Sequence, residues 1–432
     1  MGVEALDSPR TRTRPRVSPL GLDLLFYLGC LAYAVASAAV SEFYGFRMWG
    51  WFAAIGYGLA AVHTVWLWTQ PRRPGLWYSR RLGLAAIVVF AMLVPLAVLV
   101  VRRLTGVDWL ITPYSWSAQP EVWVIERSAD LLLHHGTPYV DVTALGRPPE
   151  VNDYTPYGPV MALFGLPRAL FGGNPVADVL TDARLVFALT ACVCVWLTLR
   201  LMGNPRVPVR AIQLAVACPL TTLTWSVAGP DLAIVGLLLV SGALAVRDRP
   251  VASAIVLAAV ISAKLIVAPA AVVLAVLVTA RLGARALALF LGTLIIAGAL
   301  LTVPVLLVNP AAFIEHVIRF PAGLGVVTSP AASPLPGYLI ASTGPAGRIL
   351  AFVLLGAAAI MIMIWLLRRP PVTGSAAMVQ TAVGLGAFTL LTPATRYGYL
   401  VYPLVLLGAA MCFHRAEGRE SFRSSVTSSS RE

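Results

Sequence analysis

Nine apolar runs long enough to span a bilayer recur along the chain, at about 20–40, 49–69, 82–101, 183–201, 211–228, 286–308, 345–367, 374–392 and 396–414. A hydrocarbon core of about 30 Å needs about 20 such residues as a helix. Inside lipid, each backbone N–H and C=O must be satisfied within the segment, which leaves helices as the answer to long uncharged runs. Shorter runs cover 231–246, 250–263 and 265–280. The run 157–171 is short and carries Pro167 and Arg168. The reading is an all-α polytopic membrane protein with about twelve transmembrane helices.

Sidedness follows from the basic loops, since short cytoplasmic loops collect Arg and Lys. Clusters occur at Arg10–Arg16, Arg72–Arg81, Arg200–Arg210, Arg247–Arg249, Arg281–Arg285, Arg368–Arg369 and Arg415–Arg423. Twelve crossings put all of them on one side, with both termini cytoplasmic. This requires 157–171 to be a re-entrant half-helix that enters and leaves from outside. It also requires 250–263 and 265–280 to be short crossings that meet near the outer face. The formal net charge of +13 does not indicate nucleic acid, because the arginines fall between apolar runs and form no continuous face. Residues 1–19 are expected to be a disordered cytoplasmic segment, 20–414 the transmembrane domain and 415–432 a disordered cytoplasmic tail. Ala34-Val35-Ala36 and Ala36-Ser37-Ala38 resemble a signal-peptide cleavage site, but the run is long enough to span and is taken as a retained helix. The five cysteines lie in apolar runs without zinc-site spacing, and read as small buried hydrophobes.

Two outer segments stand out. The first, 102–156, holds seven acids, and the second, 309–344, is rich in Pro and Gly. Loops this long are usually functional or disordered. Within the first, positions 122, 125, 129, 132 and 133 give "PEVWVIERSADLLLHHGTPY" the apolar stripe of an amphipathic helix lying on the membrane. Glu121 opens that helix. It is placed either to complement the helix dipole or to act as a base. Glu126, Arg127 and Asp130 read as a solvated face. His134 and His135 suit a helix C-terminus. Asp153, ahead of Tyr154 and Tyr157, can cap the half-helix or bind sugar hydroxyls. Asp182, Arg184 and Asp231 sit at outer helix mouths, where an ion pair among them is expected.

Lys264 is the only lysine among 32 basic residues, and it lies in the apolar stretch "VISAKLIVAPA". At the outer junction of two short crossings it can face an external cavity. Arg396, with Tyr397 and Tyr399, opens a helix at the end whose dipole disfavours a cation. An anionic partner is therefore expected, either a protein acid or a phosphate.

Together these segments resemble the family 87 glycosyltransferases of the GT-C superfamily, the polyprenyl-phosphate-mannose-dependent mannosyltransferases of actinobacterial envelopes. The resemblance runs over roughly 115–410. It rests on the acid-led helix ending in "HGTPY", on "YTPYGPVMALFGLP", on "AKLIVAP" and on "TPATRYGYLVYP". Glu121 stands where the family usually has Asp. The family's tight "YPP" is loosened here to Tyr154, Pro156, Tyr157 and Pro159. The resemblance implies a GT-C-like fold with an outer catalytic cleft between the amphipathic helix and the half-helix. It implies Glu121 as general base, with Asp153 as runner-up base or sugar ligand. Lys264 and Arg396 would bind the donor phosphate. Tyr154, Tyr157, His135, Tyr397 and Asp231 would bind sugar or acceptor. The implied partners are a polyprenyl-phosphate sugar donor, a lipid or glycan acceptor and membrane lipids, with no cofactor and no metal. A transporter or lipid-linked sugar flippase is the alternative of a different class. A non-catalytic partner in an envelope complex is a third. Within the transferases, mannose and pentose donors both stay open.

Overall fold

The computed structural model describes residues 18–70, 73–105 and 117–429, with no side-chain description for 105 and 420–429. The expected N-terminal segment, the Arg10–Arg16 cluster, Arg72 and residues 106–116 of the first outer loop lie outside these. Among the described residues the protein is helical throughout. Nine helices are long and apolar enough to cross a membrane, and up to ten if the bent pair Pro219–Val227 and Pro230–Val246 counts as one span. A multi-pass membrane protein is the architecture that follows.

The remaining expected crossings became something shorter. The run 211–228 breaks into Val209–Ala215 and Pro219–Val227, and the next helix, Pro230–Val246, turns away by 116°. Pro250–Ala263 has 14 residues, which is about 21 Å at 1.5 Å per residue. That falls short of the hydrocarbon thickness, so this helix alone does not span it.

Proline writes much of this punctuation. Pro120, Pro159, Pro175, Pro219, Pro230, Pro250, Pro269 and Pro345 each open a helix. At the first helical position the missing N–H costs nothing and the fixed φ is already helical. The last span continues as one helix from Val401 to Ser429, so 415–429, part of the expected tail, is helical in backbone.

Contacts between helix ends sort them into two groups. At one end Arg80 and Arg210 both pair with the buried Asp23 at 2.6 and 3.3 Å, and Gln213 donates to it at 2.8 Å. Arg281 pairs with Asp248 at 3.0 Å and donates to the Val372 carbonyl. Among the described residues, this end carries the arginine clusters. At the other end Gln119 N–H donates to the Val227 carbonyl at 2.8 Å, and Gly158 N–H to the Ala263 carbonyl at 3.0 Å. The second end gathers the outer-loop helix, the short 157–171 segment, the Lys264 junction and Arg396.

The amphipathic helix Pro120–His135 is built into the protein. Val122, Ile125 and Ala129 are fully buried, and its neighbour is the 157–171 segment, a 3-10 helix from Pro159 to Gly165 continuing as Leu166–Phe171. No cleft separates the two. A Cβ on Gly165 would lie 2.5 Å from the Ile125 carbonyl oxygen, and one on Gly158 2.0 Å from that of Ser262. Only glycine permits either approach, and together they pin the half-helix between the outer helix and Pro250–Ala263. Open space lies instead on the far side, in a groove of about 320 Å³ lined by Ser262, Leu265, Gly298, Thr302 and Phe313 among others.

Candidate functional site

Glu121 sits in the first turn of its helix, where the dipole favours an acid. Its carboxylate accepts from Arg396 Nη1 at 2.7 Å across 275 residues of chain. Arg396 comes from the turn ahead of the last span, fixed by neighbouring bonds: Ser333 N–H donates to the Thr395 carbonyl, and Tyr397 N–H to Ser333 Oγ, both at 3.0 Å. The pair is partly open, with 16% of the Glu121 side chain and 36% of the Arg396 side chain exposed.

Lys264 lies behind it, buried. Its ammonium donates to Asp231, which opens Pro230–Val246. Tyr402 Oη donates to the same carboxylate oxygen at 2.6 Å. The ammonium also stands over the Tyr399 ring at 4.7 Å and the Tyr157 ring at 5.5 Å. A cation within about 6 Å of an aromatic face gains about 0.5–2 kcal/mol. Glu121 is near enough for its charge to act on Lys264. The lone lysine therefore faces a carboxylate and a box of tyrosines, and the two cations sit in one cluster with two acids.

Of the sequence-derived site residues, Glu121, Arg396, Lys264, Asp231 and Tyr157 come together here, with Tyr397 at the half-exposed edge. The anionic partner expected for Arg396 is a protein acid, and Lys264, expected to face an external cavity, is buried against one as well. The ion pair expected among Asp182, Arg184 and Asp231 forms between Asp182 and Arg184, while Asp231 pairs with Lys264. Three residues do not join. His135 is exposed at the other end of its helix, about 21 Å from Glu121 along the axis. Tyr154 is buried against the 309–344 segment, stacked on Phe320 at 4.1 Å and donating to Glu315 at 3.2 Å. Asp153 takes two hydrogen bonds from Arg147, at 2.7 and 2.8 Å, and one from Glu150 N–H at 2.7 Å. Burial raises its pKa, but Arg147 and the Glu150 N–H outweigh burial and hold it below the usual carboxylate range. It caps a 3-10 turn at 151–153, not the half-helix.

Tyr399 and Tyr402 complete the cluster and were not singled out as site residues. Their only signal was three tyrosines in "RYGYLVY", two of them at the i, i+3 spacing that shares a helix face. A second surprise is Glu126, expected on a solvated face. It is buried, takes both Nη groups of Arg103 at 2.9 and 3.1 Å, and accepts from Ala183 N–H at 3.1 Å. Arg103 also donates to Asp182 at 2.6 Å. Asp182 caps its helix and binds Arg184, which is fully buried and donates to the Ser117 and Ser226 carbonyls. This network clamps the back of the Pro120–His135 helix to the start of the next span.

The 309–344 segment is tied on by His316. Thr155 N–H donates to its Nδ1 at 2.8 Å, so the proton sits on Nε2, which donates to the Val140 carbonyl at 2.8 Å. Burial lowers its pKa to about 4, and the ring is neutral at neutral pH.

Residues 150–282, under a third of the chain, match the family model described as "Alpha-(1->6)-mannopyranosyltransferase, N-terminal domain". The match is consistent with the mannosyltransferase resemblance read from the sequence and supports a glycosyltransferase. It includes the half-helix, Asp231 and Lys264, and stops short of Glu121 and Arg396 on either side. No curated protein and no solved structure matches the chain.

Proposed function

We propose that the protein is an integral membrane mannosyltransferase that moves the sugar from a polyprenyl-phosphate donor to a lipid or glycan acceptor at the extracytoplasmic face, with inversion. One observation carries the reading: Glu121 on the helix Pro120–His135 pairs with Arg396 from a distant segment, beside the buried Lys264–Asp231 pair, in a half-open cluster at the helix ends opposite the arginine clusters. The family match over residues 150–282 supports mannose as the sugar.

In this mechanism Glu121 takes the proton of the acceptor hydroxyl, a general-base contribution of about 10²–10⁴-fold. The acceptor oxygen attacks the anomeric carbon from the side opposite the phosphate, and a single displacement inverts that centre. The C–O bond to phosphate breaks, and its electron pair leaves with the lipid phosphate. Arg396 and Lys264 stabilise that charge as it develops, in a setting where low dielectric magnifies such contacts. The apolar groove lined by Ser262 and by Leu265, the chain neighbour of Lys264, suits the donor's lipid tail.

The test is transfer of labelled mannose from polyprenyl-phosphate-mannose to membrane acceptor lipids by the purified wild type and by Glu121→Gln. The expected result is product with the wild type and a loss of about 10²-fold or more in the folded variant. Equal product from both moves the base to another acid. No wild-type product with mannose or pentose donors overturns the transferase reading and leaves the flippase.

A further inference from the structure

The transferase reading leaves a question of charge. The cluster holds two cations and two acids, so it has no spare positive charge for a phosphate. Lys264 is enclosed, and Asp231, its partner, is held in place by Tyr402 as well. Arg396 differs in three respects. Its side chain is 36% exposed, its partner Glu121 is 16% exposed, and among the described residues its guanidinium spends only Nη1 on a side-chain partner. A guanidinium has five donors in a rigid fork, and both carboxylate and phosphate fit it.

Resting on that reading, we propose that Arg396 is shared between base and leaving group: its positive charge follows the negative charge from Glu121 to the donor phosphate, coupling proton abstraction to departure of the lipid phosphate. The balance of the step requires no other ion. Before transfer Glu121 carries one negative charge and the phosphodiester carries one. The acceptor O–H proton passes to Glu121, the acceptor oxygen bonds to the anomeric carbon, and the bond from that carbon to the phosphate oxygen breaks. Glu121 is then neutral and the phosphate monoester carries two charges. The sum is unchanged while its location has moved by the reach of one side chain. Arg396 is released by Glu121 in the same event that creates its new partner. Lys264 cannot play this part, because its acid has no proton to gain in the reaction.

The product lipid alone should then reproduce the second state. Bound polyprenyl phosphate would draw Arg396 away and leave Glu121 easier to protonate. Among the described residues, the charged and titratable groups whose charge acts with that of Glu121 are Arg396 from the turn ahead of the last span, Lys264 from the junction and Tyr157 ahead of the half-helix. Only the first is displaced.

The experiment uses the full-length protein in lipid nanodiscs, titrated with polyprenyl phosphate. Binding is read by retention of radiolabelled lipid. Glu121 is read by mass spectrometry after reaction with a hydrophobic carbodiimide, which modifies protonated carboxyl groups. A one-unit rise in the Glu121 pKa is a rise of about tenfold in its protonated fraction at neutral pH. Labelling of that size on saturation is the expected result. Arg396→Ala should label strongly with or without lipid, and Arg396→Lys, which keeps a cation, should keep a lipid-dependent rise. Saturable binding with unchanged or lower Glu121 labelling in the wild type overturns the exchange and leaves the transferase reading standing. No saturable binding of polyprenyl phosphate overturns both.

Discussion

The helix Pro120–His135 carries two glutamates five residues apart, and they live in opposite circumstances. Glu126 is buried and satisfied from three directions by Arg103 and the Ala183 N–H. Glu121 is partly open, and its one side-chain partner among the described residues is an arginine that is itself a third exposed. The first belongs to a closed network with Asp182 and Arg184. The second belongs to a pair that a substrate can enter. A charge that is paired on every side braces the fold and has nothing left for chemistry. A charge with one exchangeable partner can take a proton or give up its counter-ion. This helix uses the first kind at its back to hold the second kind at its front.

The largest expected effect comes from breaking the closed network. Arg184→Ala leaves Asp182 with Arg103 alone and strips the buried Ser117 and Ser226 carbonyls of the guanidinium that now satisfies them. Removing one member of a buried ion pair typically costs about 3–5 kcal/mol. That is a large share of the net stability of about 5–15 kcal/mol of an ordinary domain. We expect a sharp loss of folded, detergent-stable protein, read by fluorescence-detected size exclusion and by thermal melting. Glu121→Gln should melt near the wild type. If Arg184→Ala folds normally while Glu121→Gln unfolds, the roles of the two regions are reversed.

The Lys264–Asp231 pair lies between the two kinds, closed like the first and adjoining the second. Either Lys264→Met or Asp231→Leu alone leaves an uncompensated buried charge and is expected to destabilise by about 3–5 kcal/mol. The double variant should recover much of that stability, since apolar groups of similar volume often replace a buried pair at little cost. Transfer activity should not return with it. A thermal-melting cycle of the four proteins measures the coupling, and the transfer assay on the double variant separates stability from chemistry. Recovery of both would make the lysine purely structural.

Much of the fold was legible beforehand, and the reason is physical. Apolar runs demand helices in lipid, prolines open them, and arginine clusters mark one end. Glu121, Lys264 and Arg396 were legible because each breaks a local rule or sits where a dipole or an apolar run makes its charge conspicuous. Their partners were not. Asp231 reaches Lys264 over 33 residues, Tyr402 reaches Asp231 over 171, and Arg396 reaches Glu121 over 275. Nothing in local spacing encodes such pairings. Glu126 misled for the same reason: its helix stripe is wider than the apolar positions, because a distant arginine makes its burial tolerable. The cleft expected between outer helix and half-helix failed on Gly165, which lets the backbones touch.

A smaller and graded effect is expected at His316, a closed contact that pH can open. Its folded pKa is lowered by burial to about 4, against about 6.5 for the free side chain. The unfolded state therefore binds the proton more readily throughout the interval. Stability rises with pH wherever the unfolded state holds more protons. The contribution of the latch is present above about pH 6.5 and is lost progressively as pH falls toward about 4. Protonation would place an N–H where Nδ1 now accepts from Thr155. Limited proteolysis of the 309–344 segment should quicken over this window in the wild type. In His316→Gln, which cannot titrate, the rate should be higher and flat with pH. A flat wild-type profile would show that another group carries the contact.

The smallest expected effect is at His135, and it sharpens the comparison because it concerns the same helix again. The family resemblance implied a role in sugar or acceptor binding. The side chain is exposed at the C-terminal end, beyond the last turn that faces the cluster, and about 21 Å along the axis from Glu121. A histidine there complements the helix dipole, an effect of about 0.3–1 kcal/mol at an exposed site and smaller when the ring is neutral. Surface changes away from special features typically stay within about 0.5 kcal/mol, which is roughly twofold in an equilibrium. His135→Ala should therefore leave the transfer rate and the apparent acceptor KM within about twofold of wild type. A larger rise in KM with an unchanged kcat would mean that the acceptor runs the length of the helix, and that its exposed C-terminal end also faces substrate.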